Sequence, residues 1–167
     1  MTDLVHKAHD FEPIYDADSR VLILGSMPSV ASAKRGFYYG HPRNVFWDVL
    51  AEVFCVTLPQ TKEEKIAFLK KHRIALWDVL ASCEIKGSAD SSIKKPVAND
   101  LMPILKATKT EAIFTTGQTA SRLYKKLCFP VTKMQNIALP STSPANIANY
   151  RYEELVRHYR IIKEVLG

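Results

Sequence analysis

The order of apolar runs and amphipathic stretches in this 167-residue chain predicts an α/β fold. The expected architecture is a three-layer α/β/α sandwich around a central, mainly parallel four-stranded sheet. Three observations carry that expectation. Short β-branched runs, Val21-Leu22-Ile23-Leu24 first among them, are too brief for helices and end on turn residues. Stretches with helical apolar spacing lie between the runs. The segments after the first and last runs are rich in Gly, Pro and Ser, and in a parallel sheet such loops gather at one edge.

The first run ends at Gly25 and reads as a buried parallel strand. Residues 26–43 form a long loop holding Pro28, Gly36, Gly40 and Pro42, and loops of this length in compact domains are usually functional. Asn44 can cap the next helix, whose apolar face is Val45, Phe46, Val49, Leu50 and Val53. Residues 61–71 are a second helix, with Thr61 and Glu64 spaced as a capping box. Residues 74–80 are the second strand, and residues 82–99 are polar with little regular pattern. Asn99 or Asp100 opens a helix through Lys106. Residues 112–116 are the third strand, ended by Gly117, and residues 118–127 the helix after it. The fourth strand lies within residues 131–139 and the last helix spans residues 150–165. No repeat or linker interrupts this order, so residues 1–167 read as a single domain.

Composition narrows the function. No stretch approaches the roughly 20 apolar residues of a membrane span, and Met1 to Asp10 lacks a signal-peptide core. A cytoplasmic protein is expected, nucleoid-associated in a prokaryote or nuclear in a eukaryote. The three cysteines, Cys55, Cys83 and Cys128, are odd in number and form no CxxC pair, so they read as inert buried or half-buried thiols. The five histidines lack a ligand spacing such as HExxH; no metal or cofactor is expected. The net charge of +6 favours an anionic partner, nucleic acid above all. That charge is scattered over pairs such as Lys70-Lys71, Lys94-Lys95 and Lys125-Lys126, which suits a folded groove better than a basic arm.

The first loop has neither the P-loop lysine nor the GxGxxG spacing. Gly25 permits close backbone approach, and Ser26 with the amides after it supplies donors. Phe37-Tyr38-Tyr39 supplies flat rings, which either stack on a ligand or pin the loop to the core. His41, Arg43 and Asn44 bring polar groups close behind; His41 has a plain alternative in bonding the backbone. A flat ring between an aromatic face and polar edge groups is how extruded bases are read. In the second loop, Pro140 and Pro144 stiffen a segment whose Ser141, Thr142 and Ser143 can grip phosphate. Such a loop can also fill the gap that an extruded base leaves. Gln118, just after the third strand, donates to phosphate or is an ordinary first-turn residue. Glu84, Lys86 and Asp90 fall in a third polar segment that is either functional or merely solvated. Trp47 and Trp77 read as core.

Taken together, these segments resemble the uracil-DNA glycosylase superfamily over residues 18–165. Gly25-Ser26-Met27-Pro28-Ser29 is similar to its water-activating motif, and Leu139-Pro140-Ser141-Thr142-Ser143-Pro144 to its DNA-wedging motif. His41-Pro42-Arg43-Asn44 followed by Phe46-Trp47 resembles the mismatch-specific branch, and the whole set is most similar to the hypoxanthine-DNA glycosylase branch, family six. The resemblance implies a monofunctional glycosylase that hydrolyses the N-glycosidic bond of a flipped deaminated base in base excision repair. It implies double-stranded DNA as partner, no cofactor, and a monomer. Asn44 would orient the water through its amide oxygen. Gly25, Ser26, Met27, Pro28, Ser29, Tyr39 and His41 would bind the base, with Tyr39 stacked on it. Pro140, Ser141, Thr142, Ser143 and Pro144 would clamp phosphates and form the wedge, facing Asn44 across a purine-sized pocket. Gln118 would hold a phosphate and Asn146 the opposite strand. Met27 departs from the superfamily, most of which has Asp or Asn there; a thioether orients water poorly. Two other readings stay open: a uracil or thymine-mismatch glycosylase, which Met27 argues against, and a non-catalytic DNA or nucleotide binder on the same fold.

Overall fold

The structure is a computed structural model that describes residues 5–8, 11–27, 36–86, 92–147 and 150–167. Pro28, Ser29, Arg35 and Asp90 lie outside the described residues. In chain order the elements are β1 (Val5–Ala8), β2 (Val21–Gly25), α1 (Phe46–Val53), α2 (Lys62–Lys71), β3 (Ile74–Asp78), β4 (Leu80–Ile85) and β5 (Lys94–Ala98). They continue with α3 (Met102–Ala107), β6 (Ala112–Thr116), α4 (Gln118–Leu123), a π-helical turn (Tyr124–Cys128), α5 (Phe129–Thr132), β7 (Asn136–Leu139), α6 (Pro144–Ile147) and α7 (Tyr152–Leu166).

The expected four-stranded sheet is present, entirely parallel, in the order β3-β2-β6-β7. Its strands alternate between two cores, as strands buried on both faces must. Val21 and Ile23 of β2 pack with Phe46, Leu50, Tyr159 and Ile162 of α1 and α7. Leu22 and Leu24 pack with Leu101, Leu123 and Tyr124 on the other face. Chain order reverses between β2 and β6: the chain leaves β2 for α1 on one face and β6 for α4 on the other. Such a switch point opens a crevice at the carboxyl ends of the strands.

The second strand stops earlier than the residue 80 expected. β3 ends at Asp78, and Leu80 begins β4 in a separate antiparallel sheet of order β1-β4-β5. Asn99 holds this change of direction, donating from Nδ2 to the carbonyls of Asp78 (2.9 Å) and Leu80 (3.1 Å). Asn99 therefore does not open a helix; α3 starts at Met102, whose N–H is accepted by Asp100 Oδ1. The polar segment 82–99 thus contains two strands, and a third comes from the N-terminus.

The expected fourth strand is shortened to β7, because Val131 lies in α5. The helix after β6 widens into the π-turn, for a local reason. Pro130 has no N–H to offer the Lys126 carbonyl and its ring crowds that carbonyl, so the preceding backbone loosens. Buried Tyr124 fixes the result, its hydroxyl donating to Met134 O at 2.6 Å. Thr61 caps α2 as expected, accepting from Glu64 N at 3.1 Å, while Glu64 reaches back to the Gln60 N–H rather than that of Thr61. Arg20 and Arg73 close the carboxyl end of α7, both donating to Leu166 O. Cys83 and Cys128 are buried, and burial raises the Cys128 thiol to about 11; Cys55 is exposed, contrary to expectation. Trp47 is core, whereas Trp77 is half-buried and donates from Nε1 to Phe11 O. No helix among the described residues is long and apolar enough to cross a membrane.

His72 gives the fold a pH dependence. Its ring packs on Phe54 and Phe68, and its buried Nε2 has no hydrogen-bond partner among the described residues. Desolvation, then the charges of Lys71, Lys163 and Arg73, hold its pKa below the ordinary 6.5. The unfolded chain takes that proton more readily than the folded one. Stability is therefore fully present above about pH 6.5 and falls as the pH drops towards the folded-state pKa. His72→Phe is expected to flatten this part of the stability profile, read from melting temperatures between pH 8 and pH 5; parallel profiles for the two proteins would disprove it.

Candidate active site

Strands β2, β6 and β7 end at Gly25, Thr116 and Leu139 on one edge of the sheet, so both motif loops start there. They also touch. Thr142 Oγ1 donates to Asn44 Oδ1 at 2.8 Å, and Val45 N donates to Thr142 O at 3.2 Å. Asn44 Oδ1 accepts a second bond, 3.0 Å from the Phe46 N–H at the start of α1. A backbone N–H can only donate, so this contact identifies the oxygen of the carboxamide. Val45 rather than Asn44 occupies the N-cap position, yet Asn44 supplies the acceptor.

This geometry corrects two expectations. Both lone-pair directions of the Asn44 oxygen are engaged by protein donors, so the oxygen is not available to orient a water. The group left over is Nδ2, which has no partner among the described residues. And loop 140–144 does not face Asn44 across a pocket: Thr142 closes the gap. Thr142 is buried, with its hydroxyl turned to Asn44, so it is not placed to clamp phosphate.

Asn44 borders a cavity of about 400 Å³ together with Tyr39, His41, Trp47, Lys62 and Lys65. That volume lies in the range of small-ligand pockets and holds a purine. Tyr39 is half-buried, with φ +54°. One face of its ring stacks on Phe46, centroids 3.8 Å apart, and its hydroxyl bonds Thr116 Oγ1 at 3.0 Å across the switch point. Burial, then the Asp78 carboxylate, push the Tyr39 phenol well above its ordinary range, so it stays neutral. The other two aromatics pin the loop. Phe37 and Tyr38 are buried, Tyr38 donating to Glu12 O and its own carbonyl accepting from Trp47 Nε1. His41 Nδ1 accepts from Arg43 N at 3.0 Å, so the backbone-bonding alternative holds while the ring still borders the cavity.

Gly25 and Ser26 use their carbonyls to receive Val79 N and Leu80 N. Met27 is half-buried and packs against the core on the α4 face of the sheet. Neither Ser26 nor Met27 borders the Asn44 cavity. In the second loop Ser141 Oγ donates to Ser143 Oγ and accepts from Ser143 N, while Asn146 Nδ2 donates to Ser141 O at 2.6 Å. Asn146 thus braces its own loop and is not extended towards an opposite strand. Tyr159 Oη donates to Pro140 O, tying the loop to α7. Ser141, Ser143, Asn146 and Gln118 border a separate, larger trough of about 1090 Å³.

Sequence reasoning missed Lys62 and Lys65, which α2 brings to the Asn44 cavity, lying over the rings of Phe37 and Trp47. Their spacing of three on a polar helix face is too common to single out. It also missed Asp78, buried at the end of β3 beside Gly25, and Thr116; an acidic residue closing an apolar strand was the available signal.

A parallel α/β/α sheet with a polar crevice at its switch point, and two motif loops locked together there, is a setting in which α/β proteins bind ligands. The chain belongs to the uracil DNA glycosylase superfamily, whose family model matches residues 12–166, and it is a DNA glycosylase with DNA as its substrate. It is 34% identical over 138 residues to the hypoxanthine DNA glycosylase of Methanosarcina acetivorans, covering 81% of this chain and 86% of that one. The hypoxanthine DNA glycosylase of Methanosarcina barkeri is 35% identical over 107 residues, 60% of this chain and 68% of the relative. A solution NMR structure of a candidate uracil DNA glycosylase from Methanosarcina acetivorans superposes with TM-score 0.79 at 29% identity, covering 95% of this chain and 99% of that one.

Proposed function

We propose that this glycosylase removes hypoxanthine from deoxyinosine in duplex DNA, acting as a monomer. The names of the two Methanosarcina relatives support the substrate. The Asn44–Thr142 hydrogen bond carries the site, because it joins the two motif loops into one rigid edge beside a purine-sized cavity. Hypoxanthine forms when adenine loses its amino group, and its mispair costs less to open than a normal pair.

In the transition state the C1′–N9 bond stretches, the sugar becomes oxocarbenium-like, and the bonding electron pair moves onto the purine. Water then adds at C1′ and gives its proton to solvent or the departing base. Asn44 does not take that proton, since a carboxamide is no base at neutral pH. Its role is to hold the water through an Nδ2–H donor, with Oδ1 clamped so that the amide cannot rotate. Tyr39 gives the base an aromatic wall that carries no charge to oppose the developing anion. Lys62 and Lys65 bring positive charge to the same cavity. Ser141 and Ser143, braced by Asn146, hold phosphate near the lesion.

The test is a panel of duplexes carrying deoxyinosine, deoxyuridine or G·T, incubated with the protein and cleaved with alkali. Strand scission at deoxyinosine is expected. Uracil release with intact deoxyinosine would reject hypoxanthine as the substrate.

A further inference from the structure

Lys62 and Lys65 come from outside both motif loops, and the chemistry above gives them no partner on the substrate. They stand three residues apart on α2, so they share one face of it. Both border the Asn44 cavity. Their ammonium groups are held over aromatic rings: Lys62 Nζ lies 5.8 Å from the Phe37 centroid and Lys65 Nζ 5.3 Å from the Trp47 centroid. Those rings are themselves fixed. Phe37 and Trp47 are buried and stack on each other, with centroids 6.0 Å apart and 15° between their planes. Cation–π attraction therefore keeps two flexible side chains at the cavity rather than in open solvent. Asp48, the one acid on that border among the described residues, lies on α1 and offers acceptors, so it does not duplicate them.

We propose that Lys62 and Lys65 are specificity-determining residues that donate to the O6 carbonyl of the everted base, and so select 6-oxopurines over adenine. This role rests on the reading of hypoxanthine as the substrate. A carbonyl oxygen has two lone pairs, enough for both ammoniums, and lysine reads guanine in DNA through the same oxygen. Adenine carries an amino donor where hypoxanthine carries O6, so donor would meet donor with nothing to accept. A site that spends donors on one substrate group rejects the analogue that lacks it. The two positive charges also stabilise the negative charge that reaches O6 as the glycosidic bond breaks. Guanine shares O6, so against guanine the selection falls on its pair with cytosine, which costs more to open.

The experiment compares kcat/KM on duplexes carrying deoxyinosine, deoxynebularine or deoxyadenosine, each opposite cytosine. Deoxynebularine has hydrogen at C6 and so lacks O6. Adenine opposite cytosine is mispaired, so pairing does not protect it. The variant is Lys62→Met/Lys65→Met, which keeps an apolar stem over each ring; Lys62 is exposed and Lys65 half-buried, so the core is untouched. Against wild type, it is expected to lose about tenfold to hundredfold on deoxyinosine, the worth of a hydrogen bond to a charged donor. On deoxynebularine the loss should stay below about threefold, because no O6 is there to lose. The preference for deoxyinosine over deoxyadenosine should narrow by about tenfold or more. Lys62→Arg/Lys65→Arg keeps donors and charge and should recover most of both preferences. Equal losses on deoxyinosine and deoxynebularine, as a structural role or a phosphate contact would give, overturn the proposal. So do a Met variant with wild-type preferences and an Arg variant no more selective than Met. A wild type that releases no hypoxanthine would reject the substrate itself, whereas release with equal losses rejects the role of the lysines alone.

Discussion

Asn44→Ala is expected to slow base release from a deoxyinosine duplex by about 10²–10³-fold, the scale of losing one preorganised hydrogen-bonding group at a reacting centre. Binding to an abasic-site analogue should persist, because the phosphate contacts proposed above, Ser141 and Ser143, lie on another loop. Ala also removes the acceptor for Phe46 N–H, at about 1 kcal/mol of stability, so a second variant separates the two effects. Asn44→Asp keeps an oxygen for both Phe46 N–H and the Thr142 hydroxyl but has no Nδ2 donor. If Nδ2 holds the water, Asp fails nearly as badly as Ala while melting like wild type. An Asp variant at or above the wild-type rate would mean that an acceptor, not a donor, faces the water. Thr142→Val takes away the hydroxyl that fixes Oδ1, and single-turnover rates should fall about threefold to tenfold, the worth of one net hydrogen bond. An unchanged rate for Asn44→Ala would remove this residue from the mechanism.

Gly25→Ala is expected to disturb fold and activity together. A Cβ there would lie 2.5 Å from Asp78 Oδ1 and 3.1 Å from Tyr39 Oη. Asp78 is buried at the end of the neighbouring strand, Gly25 pairing with it in register, so its carboxylate has little room to retreat. Overpacking of this kind costs about 1–3 kcal/mol. The shift passes to Tyr39, whose hydroxyl meets Thr116 across the switch point, and so to the aromatic wall of the cavity. A lower melting temperature and a loss of more than about tenfold in kcat/KM should appear together. An alanine variant with wild-type melting and turnover would show that the crowding at Gly25 is not felt.

The parallel sheet was legible because its signal is local. Val21 to Leu24 is apolar on both faces, and β6 repeats the pattern, so burial between two helical layers can be read from the runs themselves. The sheet of β1, β4 and β5 was not. Residues 80–85 continue directly from β3 and pair with β5 through two register shifts, and β5 is mostly exposed, with Lys94 and Lys95 at its start, so alternation in each is confined to about four residues. β4 takes its order from pairing with Val5–Ala8, some seventy-five residues away in sequence, and β5 pairs with β4 in turn; such register has no trace in any one segment alone. The π-turn had a visible cause in Pro130, but the same proline is equally compatible with a helix that stops.

For the site, the place of the loops could be read in advance and the direction of their side chains could not. Residue types alone determined that Asn44, Tyr39 and a Ser/Thr/Pro loop would gather at the carboxyl edge of the strands, because a parallel sheet collects those loops whatever their conformation. Tertiary packing decided which atom of Asn44 is spent on the protein and that Thr142 turns inward. It also decided that Asn146 braces its own loop and that Ser141 and Ser143 line a trough while Thr142 meets Asn44. A carboxamide or hydroxyl side chain offers several hydrogen bonds of nearly equal worth. Only the neighbours supplied by distant parts of the chain determine which of them form.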